Sequence, residues 1–137
     1  MTASRKKLQL EKARALAKEK YAEVAKICAE LAENFKRMGE HRNALLEYLD
    51  MELMLTKTSA SASGAGMAAV KRAIGEAYLA LDETDEAIAQ HTEMLSLAEA
   101  TNDPIEMQRA FATIATTYFV VASLNDNDDK MLRKAGE

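Results

Sequence analysis

Leu31-Ala32-Glu33-Asn34-Phe35 is echoed by Ile74-Gly75-Glu76-Ala77-Tyr78 and again by Ile114-Ala115-Thr116-Thr117-Tyr118. Each stretch sets a large aliphatic residue, a small one and, three positions on, an aromatic at helical spacing. The small residues lie 43 and then 40 positions apart. The segments that follow repeat as well, since Ala44, Tyr48 and Met51 match Ala87, His91 and Met94. A small residue lets two helices approach closely while a bulky one fills the space above it. A period of about 40 residues therefore reads as one helical hairpin per unit.

Working outward, Tyr21, Val24, Cys28, Leu31, Phe35 and Met38 recur every three or four positions, and Gly39-Glu40 closes that helix. Ala44, Tyr48, Met51 and Leu55 mark its partner, widened by Leu45 and Leu49. Residues 58–66, from Thr58 to Gly66, are small and without a hydrophobic anchor, so a loop is expected. Val70, Ile74, Tyr78 and Leu81 begin a second pair, completed by Ala87, Ile88, Met94, Leu95 and Ala98. In Asn102-Asp103-Pro104-Ile105-Glu106, Asp103 can cap, Pro104 suits the first helical position and Glu106 can reach back to the cap. Ala110, Ile114, Tyr118 and Val121 carry a last helix, which Asn125 to Asp129 is expected to end. Residues 123–137 then form a polar tail, frayed or the start of a further helix.

The composition agrees with an all-α chain. Its 137 residues suit one domain or a short array, 48% apolar content is enough for a core, and one proline, five glycines and 5% aromatics disfavour sandwiches, barrels and βαβ folds. A lone Cys28 rules out an internal disulfide or multi-cysteine zinc site and suits a reducing compartment. No apolar run follows the polar, basic start, so neither a signal peptide nor a membrane span is expected. The net charge of −4 hides a polarity. Residues 1–20 carry seven basic and two acidic side chains, and the remainder carries 11 and 20. The first segment reads as a basic capping helix that packs Leu8, Ala15 and Leu16 and leaves its lysines in water. The acidic remainder favours basic partners and repels nucleic acid.

The large-small-x-x-Tyr pattern, with Gly39 at a helix end and Ala followed four residues later by an aromatic, resembles the tetratricopeptide pattern. That resemblance implies a right-handed α-solenoid of about three long repeats over residues 20–122: two complete helix pairs and a final first-type helix behind the capping helix. Met51 and Met94 depart from it, standing where small residues are common. The stretch from Ala98 to Tyr118, with its Glu106-x-Gln108-Arg109-Ala110 run, together with Ala73-Ile74-Gly75-Glu76 and the basic Lys12-Ala13-Arg14, is similar to the N-terminal repeats of the Tonsoku-like proteins. This resemblance covers roughly residues 5–122. It implies a nuclear role in repairing stalled or broken replication forks and preserving genome stability, with recognition of newly deposited core histones in chromatin.

Catalytic constellations are missing from the sequence. Gly64 and Gly66 precede no Lys-Ser or Lys-Thr pair, and neither His41 nor His91 stands in a Glu-x-x-His or His-Glu-x-x-His arrangement. His91 reads as a packed histidine and Cys28 as a small buried hydrophobe. No catalytic residue, metal site or cofactor is expected. In stacked helix pairs the first helices line a groove suited to an extended peptide. By the repeat register that groove presents Lys26, Glu30, Glu33 and Arg37; then Arg72, Glu76 and Leu79; then Arg109, Thr113, Thr116 and Phe119. Glu33, Glu76 and Thr116 stand where carboxylate-clamp repeats carry asparagine, which disfavours that clamp. Ala69, Ala73 and Ala112 leave room, so a shallow pocket is expected near Ala73, Glu76, Arg109 and Thr113. The expected partner is a basic peptide, a core histone tail or histone complex, alongside other replication-repair proteins, with no direct nucleic acid and no membrane. The competing expectation is a cytoplasmic scaffold of the long-repeat polarity or motor-adaptor type, with acidic or hydrophobic helical partners.

Overall fold

The computed structural model describes residues 2–58 and 64–136. They form six helices and no strand: α1 (Thr2–Ala17), α2 (Tyr21–Arg37), α3 (His41–Thr56), α4 (Gly64–Ala80), α5 (Thr84–Thr101) and α6 (Pro104–Gly136). Four of the connecting turns close in the same way. The backbone N–H of Lys20, Glu40, Glu83 and Asp103 donates to the carbonyl of Ala15, Phe35, Tyr78 and Ala98, at 3.0, 2.9, 2.9 and 3.4 Å. The residue before each donor is left-handed, with φ of 56° at Glu19, 75° at Gly39, 60° at Asp82 and 52° at Asn102. This six-to-one closure satisfies carbonyls that a helix end leaves orphaned. Only Gly39 takes the conformation without steric cost, and Asp82 and Asn102 tolerate it better than most residues.

The start of α6 follows the expected cap. Asp103 Oδ1 accepts from the N–H of Ile105 at 3.0 Å and of Glu106 at 3.3 Å, and Pro104 is the first helical residue. Glu106 does not turn back to the cap; its carboxylate accepts from Arg109 at 2.9 Å, one turn on. Two boundaries move. The expected loop over 58–66 yields Gly64 to Gly66 to α4, because Met67 and Ala68 pack immediately behind them; Ser59 to Ser63 lie outside the described residues. Helix α6 also runs through Asn125–Asp129 to Gly136, so the tail from residue 123 continues the helix. Asn and Asp cost a helix only a few tenths of a kcal/mol each, about 0.7 at most, and no proline or glycine stands in their way.

The core begins between α2 and α3. Val24, Cys28, Leu31 and Ala32 are buried beside Ala44, Leu45 and Tyr48, and the cluster continues into α4 through Val70, Ile74 and Ala77. Fully burying one such aliphatic side chain stabilises the fold by about 1.5–3 kcal/mol. A smaller group of Ala68, Met94 and Ala110 joins α4, α5 and α6. Each helix packs on the next in sequence, and α4 also meets α6. This order of hairpins fits a helical repeat. Arg5 pairs with Glu40 at 2.9 Å and Arg42 with Glu83 at 2.6 Å, and each glutamate stands immediately ahead of α3 or α5.

The expected stripes hold except at the edges. Met38 and Leu16 face solvent, the latter 45% exposed, while Leu8 and Ala15 pack as expected. Phe35 is 8% exposed but Tyr118, at the same place in its segment, is 54% exposed, and Ala115 is exposed where Ala32 and Gly75 are buried. Helix α3 follows and covers α2, and α5 covers α4; among the described residues no helix follows α6. Ala110 and Thr117 are its buried contacts instead.

Gly75 is the tightest point. A Cβ built there would overlap the His91 imidazole, which is buried between α4, α5 and α6. Thr117 Oγ1 donates to the Thr113 carbonyl at 2.9 Å and lies 2.9 Å from His91 Nδ1, so it accepts from Nδ1–H. His91 Nε2 has no hydrogen-bond partner. Burial pushes the imidazole below the ordinary histidine range, against the opposing pull of the Arg72 backbone and the Glu76 carboxylate.

Two outcomes follow from this packing. Gly75→Ala is expected to lower unfolding stability by about 1–3 kcal/mol, as overpacking does, and pairing it with His91→Ala should recover part of the loss in chemical denaturation. Because the folded-state pKa of His91 lies below its unfolded value of about 6.5, the unfolded chain binds more protons in that window. Stability is therefore full above that pH and declines as the pH falls through it, a decline that a His91→Gln chain should lack in thermal melts.

Candidate functional site

The backbones of α2 and α4 stay apart, with α3 packed against both. Between them lies a cavity of about 160 Å³ with Ala29 and Glu33 on the α2 side, Ala69, Val70 and Ala73 on the α4 side, and Tyr48 and Met51 from α3. Tyr48 and Ala73 also line a smaller cavity of about 50 Å³, which Lys36, His41 and Glu76 help to enclose. The two share those residues and so form one cleft with Tyr48 at its centre. The Tyr48 hydroxyl donates to Glu33 Oε1 at 2.8 Å. Burial pushes this phenol well above the ordinary tyrosine range, and the Glu33 hydrogen bond and the nearby Glu33 and Glu76 charges push it the same way. The phenol is thus a fixed donor, with two carboxylates close enough for each to act on it.

The sequence-derived groove residues divide among several places. Glu33, Ala73 and Glu76 meet in this cleft. Glu30 and Arg37 join Glu33 along a second opening of about 370 Å³ between α1 and α2, where Ser4 and Leu8 form the other wall. Lys26 is exposed, and Arg72 and Leu79 are half-buried. The α6 residues do not reach the cleft: Arg109 is held by Glu106, and Thr113 and Thr116 donate to the Arg109 and Ala112 carbonyls of their own helix at 2.8 and 2.9 Å. Phe119 is 72% exposed. The pocket expected at Ala73, Glu76, Arg109 and Thr113 is accordingly corrected: its first two members join α2 and α3 instead. Docking through Ala110 and Thr117 turns Arg109 and Thr116 elsewhere. Tyr48 was missed as a site residue, although it stands in its segment where His91 stands in the next, a position the sequence assigns to packing.

Over 133 residues, 96% of its length, the chain is 30% identical to Tonsoku-like protein of Bos taurus, and it spans 10% of that protein. The chain is a homologue of Tonsoku-like protein. No family model matches it.

The basic first helix of this Tonsoku-like homologue is less solvated than its sequence implies. Lys12 Nζ bonds Glu47 Oε2 and Asp50 Oδ2, each at 2.9 Å. Arg5 reaches Asn34 Oδ1 at 3.0 and 2.9 Å and lies 4.2 Å over the Phe35 ring. Both side chains clamp α1 onto the hairpin behind it; Lys12 departs from the expectation that the lysines lie in water, which the exposed Lys6, Lys7, Lys18 and Lys20 meet. Cys28, Glu47 and Asp50 are close enough together to hold a metal ion, but the Lys12 ammonium already sits on both carboxylates. Burial pushes the Cys28 thiol up to about 12, against the opposing pull of Lys12. Iodoacetamide should therefore leave Cys28 unmodified in the folded chain at neutral pH. Lys12→Met removes that downward pull and leaves the Glu47 and Asp50 charges beside the thiol, so alkylation of the folded variant should be no faster, as read by mass spectrometry.

Proposed function

We propose that this homologue is a non-catalytic interaction module that holds a basic peptide, a core histone tail, along the cleft between α2 and α4, in replication-coupled DNA repair in the nucleus. The observation that carries this reading is the pair of carboxylates, Glu33 and Glu76, beside Tyr48 in a cleft walled by Ala29, Ala69 and Ala73. The similarity to Tonsoku-like protein and the acidic balance beyond residue 20 support it. Buried Cys28 and His91 are the natural candidates for a nucleophile and a base, and neither meets solvent, which favours binding over turnover. Exposed charge contacts are worth about 0.2–1 kcal/mol each, and ordering a disordered tail costs about 2–5 kcal/mol. Affinity should accordingly be modest, micromolar or weaker.

Lys36 on the wall of the smaller cavity gives the alternative its footing, a cytoplasmic scaffold or adaptor with acidic helical partners. Calorimetric titration with a basic histone-tail peptide and with an acidic helical peptide separates the two. Salt-sensitive binding of the basic peptide alone is expected, weakened about tenfold by Glu76→Lys, a change of roughly 1.4 kcal/mol. Binding of the acidic peptide alone would transfer the function to the adaptor class.

A further inference from the structure

We infer that the cleft reads one lysine side chain of its peptide in preference to arginine, an inference that rests on the basic-peptide reading above. The 160 Å³ cavity is open because its facing walls carry alanines: Ala29 on α2, Ala69 and Ala73 on α4. One step along the cleft, Lys36 and His41 narrow the space to about 50 Å³. A side chain therefore enters at the alanine end. Met51, Val70 and the Tyr48 ring offer it apolar surface along its length, and the charge in that lining is Glu33. A long aliphatic stem with a cationic head matches this order of surfaces. A shorter residue leaves the walls wet, and a purely aliphatic one leaves Glu33 without a counter-charge.

The choice between the two long cations follows from Tyr48. A guanidinium gains most when both of its edge nitrogens meet both oxygens of a carboxylate, whereas an ammonium acts as a compact point charge that needs only one. Tyr48 already occupies Glu33 Oε1 at 2.8 Å, which obstructs the two-pronged arrangement and leaves the other oxygen for a single donor. Tyr48 is thus a positioning residue for selectivity, acting through Glu33.

The test is calorimetric titration of the full chain with three synthetic peptides of one Gly/Ser/Ala framework, bearing lysines, arginines at the same places, or norleucines there. The lysine peptide should bind about three- to tenfold tighter than the arginine peptide, a difference near 1 kcal/mol, and the norleucine peptide weakest. Tyr48→Phe should bring the lysine and arginine affinities together by freeing Glu33, a change in ratio that a purely structural role would not produce. Ala73→Leu fills the cavity and should weaken the lysine peptide. Should that variant misfold by circular dichroism, Glu33→Gln at its exposed position serves instead and should lower lysine-peptide affinity about three- to fivefold. Equal binding of the lysine and arginine peptides by the unaltered chain overturns the lysine preference and leaves the basic-peptide reading standing. Binding of neither overturns both.

Discussion

A glycine beneath an imidazole sets how closely α4 and α5 approach. With no side chain at Gly75, the His91 ring lies against the α4 backbone, and the ring in turn presents Nδ1 to Thr117 of α6. Three helices are joined through one residue pair that no other small residue could replace without movement. Ala32 is buried in the preceding pair, with Tyr48 buried on α3 at the matching place. The distance between helices, and with it the shape of everything built on them, follows from which side chains are missing as much as from which are present.

The cleft is a product of the same economy on the other side of α4. Ala69 and Ala73 leave a gap toward Ala29 that the backbone separation of α2 and α4 keeps open, and Tyr48 rises from α3 between them. Tyr48 serves two purposes. Its ring belongs to the core that α2, α3 and α4 share, and its hydroxyl holds a carboxylate that borders the cleft. Packing and the polar lining of the cleft are thus coupled through one side chain, and a change made to either will be felt in the other.

Much of the architecture was legible because periodicity and small residues are local signals. The stripes through Val24, Cys28 and Leu31 and through Ala87, His91 and Met94 are buried as their spacing implies, and Asp103-Pro104 marks a helix start that hydrogen bonds bear out. Register alone also set Glu33 and Glu76 on one groove, and both border the cleft between α2 and α4. What escaped the sequence depends on neighbours. Tyr118 carries the right residue at the right offset, yet burial requires a following helix to cover it, and no described residue supplies one. Lys12 and Arg5 looked like solvated charges because their partners, Glu47, Asp50, Asn34 and Glu40, stand 29 to 38 positions away. The run Asn125–Asp129 looked like a stop, but it contains neither proline nor glycine and α6 continues through it.

The paired arginines and glutamates have a mechanical meaning. Arg5 of α1 holds the glutamate ahead of α3, and Arg42 of α3 holds the glutamate ahead of α5, so each unit is stitched to its successor by an electrostatic fastener at the rim. Bending one hairpin against the next would stretch these fasteners. Because mobile ions weaken exposed pairs more than part-buried ones, added electrolyte slackens the Arg42–Glu83 joint more than the better-sheltered Arg5–Glu40 joint and leaves the apolar cohesion of each hairpin untouched.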